Sequence, residues 1–532
     1  MKKISLLLII LLLVQQTAYP FCGFYVARAD VKLFNKTSQV ILVRNGERTT
    51  VTMSSDFQGN VSDFAMVIPV PTVLQKNDVR VIERSIFDQF DAYSGPRLVE
   101  YFDAPPCNRY YNQAETLSAV AVKKESRDVS ATMDEEREDK YKVAVVARYT
   151  VGEYDIQILN AQESGGLERW LIDHGYKIPD GAKEVLEPYI KSNMKFFVVK
   201  VNLEEQKALS SQILRPIQIS FSSPKFMLPI RLGMANGEGN QDMIIYAFTR
   251  TGRIETTNYR TTKMPSDREV PTFIKDHFGR FYTDLYKENI RREGHDNIFL
   301  EYAWDLSGQN NVKCDPCPSQ PPLYNEIVSA GVDWLQTGGW GGYNGQLFFT
   351  RLHVTYNRRD FPQDLVFQET PNREQFQCRY ILRYPAAYTD NCPEWQSYQD
   401  QKIQNRRREL RELAQLTGWD VSRYREYPNY FQGYRAPSPP DVRTGSIYKE
   451  ITPINTAFQP DVPKATTTQK STVAKDPVAT ADIRTGDTVT TIAQDSFLLA
   501  DTSDASAQTP VPYGILVVAT CAGLFLLHRN KG

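Results

Sequence analysis

Alternating apolar and polar residues, in short runs bounded by turn residues, dominate the first half of the chain. Gln39–Arg44 and Arg48–Met53 are β-rich, and Asn45-Gly46 between them signals a hairpin, because a type I′ turn needs positive φ at both central residues. Phe64–Ile68 reads as a third strand, expected to end at Pro69-Val70-Pro71, where a missing amide donor breaks a ladder. Val79–Phe90 is helical in pattern. Strand patterns follow at Val143–Val151, Tyr154–Leu159, Phe196–Val201, Ile217–Phe221, Met243–Thr249 and Leu347–Thr355. Helical spacing marks Glu168–Gly175, Gly181–Ser192 and Pro271–Arg292, the last with proline in its first turn. The clearest helix is Tyr398–Thr417. Ile403, Leu410, Leu413 and Ala414 mark one face, Arg406–Arg408 another, and Gly418 suits the C′ position. The expected fold class is α+β, a mostly antiparallel β-sheet ectodomain with peripheral helices.

The pattern changes at both ends and at two interior places. Lys2 and Lys3 precede the apolar run Ile4–Val14, which matches an export signal and is short for a membrane span, so residues 1–20 are read as a signal peptide. Lys123–Lys140 is almost wholly charged or small and separates an N-terminal β-rich domain (21–122) from a second α+β region (141–435). From 436 to 510 the chain is rich in Thr, Ser, Ala, Asp and Pro, and this reads as a disordered stalk. Residues 511–527 are expected to form a C-terminal transmembrane helix of about 25 Å at ~1.5 Å per residue. His528, Arg529 and Lys531 leave 528–532 as a cytoplasmic tail by the positive-inside rule. The expected location is the bacterial cell envelope, with an extracytoplasmic body on a single membrane pass.

Charge removes one class of partner. Sixty-two Lys and Arg face 63 Asp and Glu in 532 residues, so no basic excess exists to neutralise phosphates and nucleic acid is not expected as a partner. Seven cysteines are present, with Cys521 in the terminal apolar run. The six others, Cys22, Cys107, Cys314, Cys317, Cys378 and Cys392, form an even set in an oxidising compartment and are expected to be fully paired. Short loops favour Cys378–Cys392 and Cys314–Cys317, leaving Cys22–Cys107.

Candidate chemistry is sparse. Cys314-Asp-Pro-Cys317 has the spacing of a thiol oxidoreductase, but Pro318, Pro321 and Pro322 follow at once and no βαβ pattern precedes it, so a structural staple is the better reading. Asn236, Glu238, Asn240 and Asp242 alternate with Gly237 and Gly239 as in the start of a calcium loop. The twelfth position is Ala247 where that loop needs glutamate, so a polar turn is favoured. The glycine-rich run Thr337–Gly345 has neither a P-loop nor a dinucleotide order, although Trp340 and Tyr343 offer rings for stacking. His174, His277, His295 and His353 are scattered, with no His-Glu-x-x-His or Gly-x-Ser-x-Gly. No cofactor is expected.

Phe21–Asp30, Asp63–Pro71, Asp91–Phe102, Cys314–Pro318 and Thr350–Val354 resemble segments of the bacterial DUF2330 proteins. The resemblance covers roughly Phe21 to Asp420 and implies an exported envelope protein. It carries over no catalytic residue. The leading expectation is therefore a binding or structural module with other envelope proteins or glycans as partners. The alternative is an extracytoplasmic enzyme, either a thiol oxidoreductase using Cys314 and Cys317 or a hydrolase with a dispersed site.

Overall fold

The computed structural model describes residues 24–25, 38–54, 65–107, 136–138, 141–174, 176, 182–202, 204–205, 214–236, 239–308, 319–339, 342–386, 392–430 and 434–440. The expected signal peptide, transmembrane helix and tail lie outside them, as does the expected stalk beyond residue 440; at its start Ala436 packs against the core and the Pro440 carbonyl accepts from Arg280. No helix among the described residues is long and apolar enough to cross a membrane.

The chain opens with β1 (Phe24–Tyr25), β2 (Ser38–Asn45), β3 (Arg48–Ser54), β4 (Ala65–Val70) and β5 (Val79–Val81). Helix α1 (Ser85–Ser94) and β6 (Arg97–Phe102) follow. Next come β7 (Glu136–Glu138), β8 (Val143–Val151), β9 (Tyr154–Ala161), helices α2 (Ser164–Asp173) and α3 (Ala182–Lys191), and β10 (Lys195–Val201). The third stretch holds β11 (Ile217–Ser222), β12 (Met227–Leu228), β13 (Gln241–Thr249), β14 (Ile254–Thr256), β15 (Arg260–Lys263) and β16 (Arg268–Glu269). Helix α4 (Phe278–Glu293), β17 (Asn297–Asp305) and the short helix α5 (Tyr324–Ser329) lead to β18 (Gln336–Thr337) and β19 (Tyr343–Asn344). The last elements are β20 (Phe348–Tyr356), β21 (Leu365–Glu369), β22 (Phe376–Gln377), β23 (Arg379–Tyr384) and α6 (Pro393–Thr417).

Two sheets carry the body. A nine-stranded sheet runs β15-β17-β20-β13-β2-β3-β11-β5, with β22 also on β17, and a six-stranded sheet runs β1-β4-β10-β9-β8-β7. Most pairings are antiparallel, and β13–β2, β15–β17, β16–β23 and β23–β6 are parallel. One face of each sheet meets the other in a shared core that includes Val40, Leu42, Val51, Ile68, Ile156, Phe197 and Ile245. Leu167 and Trp170 of α2, with Leu186 of α3, cover the outer face of the six-stranded sheet. Phe87 and Phe90 of α1 cover the other face of the nine-stranded sheet beside Tyr246, Phe248 and Phe349. Every residue of β13 is buried, as expected of a strand covered on both faces.

Several sequence expectations need correction. The segments 21–122 and 141–435, read as separate domains, share sheets: β2 pairs with β13, β4 with β10, and β6 with β23. Asn45 remains in β2, so the hairpin turns at Gly46-Glu47, where Gly46 alone has positive φ, at +59°. That is the requirement of a glycine-first II′ turn rather than of I′. Strand β4 runs through Pro69; β1 pairs only with Met66 and Val67, so that edge of β4 carries no ladder at Pro69 among the described residues. Helix α6 ends as expected, with Gly418 at φ +70° accepting the left-handed cap. Its arginine run is not a solvent face throughout, because Lys402, Arg406 and Glu409 are buried with Leu410 and Leu413.

Candidate functional site

β20 carries two cations where an apolar strand residue would stand, at Arg351 and His353. Both project from the face of the nine-stranded sheet that carries Phe349, and cross-strand pairing sets Tyr246 beside Arg351 and Asp242 beside Thr355. On the other neighbour, β17, Leu300 opposes Leu352 and Tyr302 opposes Arg351, so Glu301 is the extra residue of a β-bulge. The bulge turns its carboxylate towards both cations, the kind of re-aiming that bulges produce.

The contacts are close. Arg351 Nε donates to Glu301 Oε2 at 2.6 Å and Nη1 to Asp91 Oδ1 at 2.7 Å. His353 places Nδ1 2.7 Å from Glu301 Oε1 and Nε2 2.8 Å from Asp242 Oδ1. The hydroxyls of Tyr282, Tyr246 and Thr355 donate to Glu301, Asp91 and Asp242 respectively. The Tyr286 ring stacks on His353, with centroids 3.9 Å apart, and Arg351 lies 5.4 Å from the Tyr246 ring centroid. Asp91 is supplied by α1, whose end at Gly95 is tight: a Cβ there would lie 2.8 Å from the Asp91 carbonyl oxygen.

Neighbouring charges, working against burial, set the charge state. Arg351 is 1% exposed and Glu301 0%. Burial alone would raise the Glu301 carboxyl, but the charges of His353 and Arg351 outweigh it and hold the group at about 2. Burial alone would lower His353, yet the Asp242 and Glu301 carboxylates raise it to about 9. An imidazolium with both N–H groups committed to carboxylates has no lone pair with which to take a proton. The arrangement can hold elements together; it is not poised for acid–base chemistry.

A second arrangement is open. The parallel strands β6 and β23 end together, with Phe102 and Tyr384 in register. Their rings stack at 5.0 Å with a 17° interplanar angle, and Phe102 is 72% exposed. Phe273, Tyr427, Tyr430 and Tyr434 continue the aromatic lining of a depression of about 540 Å³. Asp103, Lys275, Asp276 and Arg406 stand among the rings. Asp103 accepts from Tyr398 at 2.8 Å and from Lys402 at 3.0 Å, while Lys275 pairs with Glu100 at 2.7 Å. A disulfide between Cys107 and Cys392 ties the chain just past β6 to the start of α6.

That disulfide replaces the expected pairings Cys378–Cys392 and Cys22–Cys107. Cys378 is a free thiol, fully buried, its sulfur 3.1 Å from the Tyr380 hydroxyl, and burial pushes its pKa up. Nearness in sequence misled because Cys378 faces inward beside β23, whereas Cys392 caps a helix at the surface. Cys22, Cys314 and Cys317 lie outside the described residues, as do Glu238 and Trp340. Asn236 ends a single helical turn, Asn240 accepts from Asn357 at 2.8 Å, and Asp242 enters the ionic cluster. The described residues contain no group of three acidic, His or Cys side chains able to hold a metal ion. Tyr343 packs inside the core on the α1 side.

Residues 16–368 match the family described as "Uncharacterized protein conserved in bacteria (DUF2330)". The chain belongs to the DUF2330 family. No curated protein and no solved structure matches it. The DUF2330 segment contains Asp91, Asp242, Glu301, Arg351 and His353, so the whole ionic cluster lies within it. Phe102 and Phe273 also lie within it, while Tyr384, Tyr427, Tyr430 and Tyr434 follow it.

Proposed function

We propose that this DUF2330 protein is a non-catalytic binding module of the bacterial cell envelope that takes an uncharged glycan in the aromatic depression at the ends of β6 and β23. The observation that carries the reading is the Phe102–Tyr384 stack, in which Phe102 is exposed and Tyr384 half-buried. Sugar rings present C–H faces that pack on aromatic planes, and their hydroxyls suit carboxylate and ammonium partners at the rim. Asp103 and Asp276 against Lys275 and Arg406 leave the depression near neutrality, which suits a ligand without charge. The hydrolase alternative is weaker because His353, which bonds to two carboxylates, is sealed and already protonated. The signal-like run Ile4–Val14 and the terminal run Gly514–Leu527 support placement of the body outside the cytoplasmic membrane.

The test is calorimetric titration of the full-length chain with N-acetylglucosamine tetramer, in the wild type and in Phe102→Ala plus Tyr384→Ala. Saturable binding is expected, weakened roughly tenfold in the double variant at ~0.5–1.5 kcal/mol per aromatic contact. Absence of saturable binding, or equal affinity in the variant, would reject the assignment. Protease added to intact spheroplasts should digest the body, and protection of the body would reject the location.

A further inference from the structure

A separate cavity of about 520 Å³ lies where the two sheets part. Its walls come from the shared inter-sheet core, chiefly Val51 of β3, Ile219 of β11 and Ile68 of β4. Val51 and Ile219 are register partners, so they stand side by side on the inward face. Met194 and Met227 add thioethers, whose flexible side chains adapt to ligands of irregular outline. The space is several times the roughly 150 Å³ that admits a benzene ring, and sits within the ~300–1,000 Å³ of small-molecule sites.

The rim has a different chemistry. Lys225 and Arg231 border the cavity, and among the described residues neither has a carboxylate at ion-pair distance. Asp364, also on the rim, is already engaged. Its Oδ1 accepts from the Tyr189 hydroxyl at 2.7 Å and from the backbone N–H groups of Ile230 and Arg231 at 3.0 and 3.1 Å. Burial raises its carboxyl above the ordinary range, against the lowering effect of the Tyr189 hydrogen bond and the nearby Arg231 charge.

We infer that this cavity binds a free single-chain amphiphile with a carboxylate head, its tail against the Val51–Ile219 wall and its head at Arg231 and Lys225. An apolar space of this size leaves its lining short of dispersion contacts, which a hydrocarbon tail restores. A guanidinium fork matches a carboxylate in plane and charge, and the neighbouring ammonium adds a second donor. The site is independent of the glycan depression. All the residues named for it fall within the segment that matches the family.

Octanoate is the probe, added to the full-length protein held in amphipol and followed by calorimetry and by ¹³C NMR of the labelled carboxyl carbon. Octanoate should bind saturably, acetate should not, and octanol should bind roughly tenfold or more weakly, since it lacks the charge-assisted hydrogen bonds. Arg231→Gln with Lys225→Gln should cost octanoate a similar factor and leave octanol unchanged. Ile219→Phe should weaken both by filling the cavity; the rim variants keep the test decisive if that replacement disturbs folding. Phosphatidylglycerol vesicles should not compete, and competition would overturn a free acid as the occupant. The inference also falls if octanoate fails to saturate, if octanol matches it, or if the rim variants bind as the wild type does.

Discussion

The ionic cluster and the aromatic depression each combine strand side chains with groups from neighbouring helices and turns, yet they make opposite use of them. Around Arg351 and His353 the charges are sealed, each facing a carboxylate, and the field between partners lowers the Glu301 carboxyl and raises the His353 imidazolium. At Phe102 and Tyr384 the stacked rings sit at the surface, Phe102 exposed and Tyr384 half-buried, and the outer face of Phe102 remains available. Charge density alone would have singled out the first as the functional centre. The difference teaches that satisfied, buried charges specify how elements meet, while accessible surface is what a ligand can use.

The largest expected effect comes from breaking the sealed side. Arg351→Met removes the ion-pair partner of Asp91 and one of the two counter-charges of Glu301, and should cost roughly 3–5 kcal/mol, the usual loss when one partner of a buried pair is removed. Urea unfolding measures it, and a loss below about 1 kcal/mol would show that the cluster is not holding α1 to the sheet.

Next is the disulfide. Replacing Cys107 and Cys392 by serine should remove about 2–4 kcal/mol, because the bond closes a loop of 285 residues in the unfolded chain. Glycan affinity should fall in the same variant, as α6 and the end of β6 both border the depression. Unchanged affinity would mean that the depression keeps its shape without the link.

The pH dependence sharpens the contrast further. His353 rises from an ordinary 6.5 to about 9 in the folded protein, so its contribution is complete below pH 6.5 and lost as pH rises through 9. Glu301 falls from 4.5 to about 2, so its contribution is complete above pH 4.5 and lost as pH drops towards 2. Each shift corresponds to something on the order of 3 kcal/mol, shared between the two because they act on each other. Chemical denaturation across pH should therefore show a plateau near pH 4.5–6.5, and His353→Gln should flatten the alkaline decline. An alkaline decline unaltered in that variant would assign it to another group.

The smallest effect belongs to the open side. Phe102→Ala should change unfolding free energy by about 0.5 kcal/mol or less, as for surface positions generally, while still weakening glycan binding. A large stability loss without a change in binding would reverse the roles given to the two regions.

Local pattern determined much of this protein by itself. The strands at 143–151, 154–159, 196–201, 217–221 and 243–249 recur with small shifts of boundary, because β-rich runs between turn residues carry their own signal. The helix ending at Gly418 was legible for the same reason, and motif resemblance gave the family. The charged residues inside FFTRLHVTY and NIFLEYAWD were the available clue to the cluster, since a cation or carboxylate in an otherwise apolar strand needs a buried partner. Which partner it finds is a tertiary matter. A one-residue bulge at Glu301 reverses the side of every later residue on β17, and no periodicity announces it. Likewise, Cys107 meets Cys392 across 285 residues only because β6 lies parallel to β23, and pairing at that distance is decided by strand order rather than by spacing along the chain.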